Sequence, residues 1–114
     1  MVPVLDKRLS QPQFSRPVNW RGRSGRYYAL RPERLEDFIL RSNELYLIAL
    51  GSMVLWAGSS DEVINDPQSR ARFRLALATA DRAFHVEAGE DDVERMTVVW
   101  DLEGAVPVSG LSAA

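Results

Sequence analysis

The chain contains no cysteine, which excludes structural disulfides, thiolate metal sites and a cysteine nucleophile. It has one histidine, His85, and that rules out a multi-histidine metal site. No apolar run reaches the roughly 18 residues that a membrane-spanning helix needs. The opening MVPVLDKRLSQPQF lacks the apolar core of a signal peptide. There is no Walker A loop, no Gly-x-Gly-x-x-Gly turn and no Gly-x-Ser-x-Gly elbow. The expectation is a soluble cytoplasmic protein, without cofactor, metal or membrane contact.

What is present is material for one globular domain: 114 residues, 46% hydrophobic and 26% charged, enough for a single core. The net charge of −2 is unevenly spread. Residues 1–34 hold eight basic and two acidic residues, whereas the rest of the chain holds six basic and fourteen acidic ones. Such polarity suits an arm that binds nucleic acid, or one that docks on the acidic part of its own domain or of a neighbouring copy.

Residues 1–17 read as an extended arm, interrupted by Pro3, Pro12 and Pro17 and dotted with Val2, Val4, Leu5, Leu9 and Phe14. Residues 18–30 read as a β-hairpin turning at Ser24-Gly25. Its arginines, Arg21, Arg23 and Arg26, with Arg16 just before it, alternate with small residues as in a nucleic-acid-binding tract. Trp20, Tyr27 and Tyr28 are the matching candidates for base stacking. The plainer reading turns the aromatics to the core and the arginines to water. Adjacent Tyr27 and Tyr28 must in any case point to opposite faces of a strand. Pro32 at a first helical turn, with Leu35, Phe38 and Ile39 in one stripe, predicts a short helix before Ser42-Asn43.

The runs Leu45–Leu50 and Met53–Ala57 flank Gly51-Ser52 and are nearly all apolar. They predict a hairpin central in the sheet, covered by a helix on at least one face, with a glycine-first type II′ turn. Ser59 and Glu62 have capping-box spacing ahead of a brief helix at 61–65. Asp66-Pro67 then restarts a long helix, about 66–84, with Phe73, Ala76, Leu77, Ala80 and Phe84 in its apolar stripe. Arg70 and Arg74 share another face, four apart, as a solvated pair or an anion clamp. Gly89–Asp92 reads as an acidic turn. In residues 93–102, Met96, Val98, Trp100 and Leu102 fit a strand, whereas Val93, Met96, Thr97 and Trp100 fit a helical face. The β-branched run Thr97–Val99 favours the strand. Residues 104–114 read as a flexible tail.

Tyr46-Leu47-Ile48, then Trp56-Ala57-Gly58, then a helix with Arg70 looks faintly like the GIY-YIG nuclease module. The resemblance covers about residues 44–75. It implies two strands bearing the tripeptides, a helix with an essential arginine and a later metal-binding glutamate, for which Glu87 or Glu94 would have to serve. The tripeptides depart from the family pattern, with Trp56 in a tyrosine's place.

The fold expected is α+β: one domain at 18–103, an antiparallel sheet of four to five strands, and one long helix packed on a face. No catalytic constellation is visible. The function expected is that of a small non-catalytic binding or assembly protein. It would act through protein–protein contacts, self-association included. A mobile-element, virion or inhibitor-type component fits this profile. The candidate interaction residues are Arg16, Trp20, Arg21, Arg23, Arg26, Tyr27, Tyr28, Arg70 and Arg74. The alternatives are a nucleic-acid binder using the basic hairpin and a GIY-YIG-like nuclease.

Overall fold

The computed structural model describes residues 16–108. The arm, except for Arg16 and Pro17, and the end of the expected tail therefore lie outside the described residues. Six strands form one antiparallel, curled sheet: β1 (Val18–Arg21), β2 (Tyr27–Glu33), β3 (Leu45–Leu50), β4 (Met53–Ser59), β5 (Arg82–Val86) and β6 (Val106–Pro107). Their order across the sheet is β4-β3-β5-β2-β1-β6. Among the described residues three helices complete the α+β fold: α1 (Ser60–Asn65), α2 (Pro67–Thr79) and α3 (Asp92–Glu103).

Strand β3 explains the layering. Its residues alternate between two buried clusters, one on each face of the sheet, as a strand's period of two requires. Leu45, Leu47 and Ala49 join Trp20, Leu30, Phe84 and the α3 residues Val98 and Leu102. Tyr46 and Ile48 join Trp56 and the α2 residues Phe73 and Ala76. Helices therefore cover opposite faces, and β3 is apolar along nearly its whole length. The curl brings Trp20 on β1 against Phe84 on β5, their ring centroids 5.6 Å apart although β2 lies between the two strands.

Several expectations are corrected. The central hairpin forms as expected, and Gly51 takes positive φ at its turn (59°). However, only β3 is interior, and β4 is an edge strand. The apolar run of β4 reflects helices packed over both faces, not neighbours on both sides. A bulge at Leu55 shifts its register between Trp56↔Ile48 and Val54↔Ala49, a distortion common at sheet edges. The short helix expected from Pro32 is absent. Pro32 instead pairs with Phe84 between β2 and β5, and a turn follows. The strand pairing outweighs a local stripe of three apolar residues.

The long helix ends at Thr79 and not near 84. Asp81 anchors this boundary: its backbone N–H donates to Ala49 O at 3.1 Å, and its carboxylate accepts from Gly51 N at 2.9 Å. These bonds tie the chain to the β3–β4 turn, and Phe84 becomes a strand residue. Residues 93–102 form a helix, not a strand. Asp91 caps its start by accepting from Glu94 N, with Asp92 and Glu94 in the first turn. That acidic start outweighs the β-branched Thr97–Val99. Residues 104–108, read as tail, include β6, which pairs with β1 through Trp20↔Pro107 and Arg21↔Val106. Asp66 caps α2 as expected, accepting from Gln68 N. Ser59 sits at the N-cap of α1 without the side-chain bond of a capping box.

Candidate functional site

The hairpin arginines and aromatics divide into two groups. Trp20 is fully buried and Tyr28 nearly so, which removes both from any contact surface. Tyr27 is exposed, as the alternation of strand faces requires. The turn of the hairpin docks on α3 through one buried carboxylate. Asp101 accepts from Ser24 N, Ser24 Oγ and Tyr28 Oη, each at 2.7 Å. A Cβ on Gly22 would lie 2.4 Å from Asp101 Oδ1, so this close approach needs glycine. Burial alone would push the Asp101 carboxyl up. The Ser24 and Tyr28 bonds, with Arg26 nearby, outweigh it and hold the carboxyl below its ordinary value. Burial, reinforced by the Asp101 bond, pushes the Tyr28 phenol up to about 12.

Arg23 and Arg26 are engaged locally. Arg23 Nε donates to Trp100 O at 2.9 Å, and its guanidinium lies 4.7 Å from the Trp100 ring centroid. Arg26 stacks over Tyr28, also at 4.7 Å. Arg16, Arg21 and Arg31 are exposed. Arg70 serves a helix end: its Nη1 donates to the carbonyls of Val63 and Ile64 at the close of α1, both at 3.0 Å. Arg74 is exposed on α2.

An exposed apolar row lies on α3. Val93 and Met96 are each 70% exposed and Trp100 is 52% exposed, with Thr97 completing a shallow groove between them. The opposite side of the same helix buries Val98 and Leu102 against the sheet. A helix apolar on two faces is ordinarily covered on two faces. In the sequence these four residues share a helical face, although the β-branched Thr97–Val99 favours a strand. Asp101 gave no signal at all, being a lone acid in an apolar run.

Two further polar features complete the molecule. His85 Nε2 and Glu44 Oε1 share a hydrogen bond at a cleft of about 420 Å³. Arg26, Arg95, Glu87 and Glu94 line the same cleft, so the two signs of charge interleave there. On the other side of the sheet edge, Trp56 Nε1 donates to Ser69 Oγ at 3.1 Å, and Ser69 hydrogen-bonds Glu62. Burial and the nearby Glu103 push the Glu62 carboxyl above its ordinary value. Among the described residues no group of three or more histidine or carboxylate side chains is placed to hold a metal ion, and no helix is long and apolar enough to cross a membrane.

No family model, curated protein or solved structure matches this chain, so its functional reading rests on its own geometry.

Proposed function

We propose that this protein is a small non-catalytic binding or assembly component that works through protein–protein contacts, with the outer face of α3 as its contact surface. One observation carries the reading: Val93, Met96 and Trp100 present an apolar row to solvent on a helix already seated by its other face. Leaving such a row in water forgoes about 25 cal/mol for each Å² of apolar surface that a partner would cover. Trp100 and Met96 are also residue types enriched at protein interfaces. The hydrogen bonds at Asp101 fix α3 to the hairpin and present the row on a rigid support.

A photo-crosslinking residue at position 96 tests this in the protein's native cells. Cross-linked protein products are expected from position 96 and not from position 75, an equally exposed site on α2. Equal yields from both positions would overturn the reading.

A second reading concerns single-stranded nucleic acid. Arg21 lies directly opposite Tyr27 across β1 and β2, and Arg31 shares the outward face of β2 with Tyr27. This sets cations beside an exposed ring, the chemistry of a stacking platform. It predicts binding that weakens steeply with salt, and a salt slope lowered by about one for each arginine changed to alanine. Affinity for single strands that survives Arg21→Ala/Arg31→Ala would exclude this face.

A further inference from the structure

We infer that the partner covering the outer face of α3 is a second copy of this chain, packed with its own α3 antiparallel about a two-fold axis beside Met96 and Thr97. This rests on the contact role proposed for that helix.

Spacing supports it first. Val93, Met96, Thr97 and Trp100 fall at i, i+3, i+4 and i+7, the seam along which two helices pack. In an antiparallel pair centred between residues 96 and 97, Val93 faces the partner's Trp100 and Met96 faces the partner's Thr97. Small side chains then meet large ones, and each contact is made twice, as a closed two-fold interface requires.

Charge selects the orientation. Glu90, Asp91, Asp92 and Glu94 are exposed at the start of α3. Arg23 flanks its end, lying over Trp100. The ion pair of Arg23 with Glu103 is long, 3.9 Å, with both side chains nearly half exposed, so the guanidinium has donors to spare. Antiparallel packing brings each Arg23 to the acidic start of the other helix and sets the helix dipoles head to tail. Parallel packing would set acids against acids. The polarity of the whole chain, basic early and acidic later, thereby becomes self-complementary. A partner of a single charge sign would match only one end of the row.

The absence of cysteine makes disulfide trapping specific. The experiment uses the purified full chain, its Met96→Cys and Leu75→Cys variants under mild oxidation, and sedimentation of the wild type against Met96→Glu and Asp92→Arg. The wild type is expected at twice 12.8 kDa. Met96→Cys should yield a disulfide-linked dimer and Leu75→Cys should not. Met96→Glu buries like charges at the axis and should weaken association roughly a hundredfold. Asp92→Arg faces Arg23 across the interface and should weaken it roughly tenfold. A wild type that stays at 12.8 kDa, with no linkage beyond the Leu75→Cys level, overturns the inference. A monomer that dimerises only after deletion of residues 1–15 overturns it as well, since the arm would then be the occupant. Photo-crosslinking at position 96 separates the two levels. A monomeric chain that still cross-links there to a different protein leaves the contact surface standing and removes the second copy; no product removes both.

Discussion

The Tyr28 hydroxyl on β2 donates to the Asp101 carboxylate on α3 at 2.7 Å, inside the protein and across 73 residues of sequence. Ser24 supplies two more bonds to the same carboxylate. This join makes the basic hairpin and the exposed helix one mechanical unit.

Removing the Tyr28 hydroxyl tests that join. A hydrogen bond to a buried charge contributes about 1.5–3 kcal/mol, so Tyr28→Phe should lower unfolding stability by that amount in urea titrations. Asp101→Asn should cost more, because an amide cannot accept all three bonds without turning its own NH2 towards a donor.

The same carboxylate sets an acid response. The Asp101 carboxyl is held below its ordinary value in the folded chain. Its contribution is therefore complete above about pH 4 and declines as pH falls through the lower folded-state value. Denaturant midpoints measured across this range should fall for the wild type and flatten for Asp101→Asn. An unchanged acid slope in the variant would assign the response to other carboxylates.

Gly22→Ala isolates the close approach beneath the hairpin. Its Cβ would meet the Asp101 carboxylate at 2.4 Å, and that carboxylate is buried and cannot swing aside. A loss of about 1–3 kcal/mol is expected, the usual cost of overpacking, measurable by thermal or urea unfolding. Leu75→Ala, exposed on α2 and outside the proposed contact surface, should change stability by no more than about 0.5 kcal/mol.

Glu62 should behave in the opposite sense to Asp101. Its carboxyl is pushed above the ordinary value by burial and by Glu103. Between the unfolded and folded values the native chain binds more protons, so stability falls as pH rises through that window. Glu62→Gln removes the charged form while keeping an acceptor for Ser69. The variant should be more stable than the wild type at pH 7, with the gain vanishing below about pH 4. Equal stability of the two at pH 7 would contradict the burial of a charged Glu62.

Much of the sheet was legible because its signals are local. Gly25 and Gly51 take positive φ at the two hairpin turns, and the strands around them carry β-favouring residues in short runs. Asp66-Pro67 marked the start of α2 for the same reason. The errors arose where long-range pairing decided the outcome. Pro32 became a strand residue because Phe84 lies opposite it, and α2 stops at Thr79 because Asp81 is bound to the β3–β4 turn. The candidate surface was half legible. Val93, Met96, Thr97 and Trp100 share a helical spacing, but the spacing does not say which face of the helix meets the sheet. The burial of Val98 and Leu102 in the core decides it. The roles of the arginines were illegible, since Arg23 meets Trp100 from 77 residues away.

Methionine oxidation in native cell extract tests the central claim most directly, because the chain carries its own control. Met96 on α3 is 70% exposed and Met53 at the β3–β4 turn is 58% exposed within a single chain. If a protein partner covers the outer face of α3, Met96 should form sulfoxide several-fold more slowly than Met53, and the order should reverse after mild unfolding of the partner contact. Met96 oxidising as fast as Met53 or faster in the untreated extract would contradict the account.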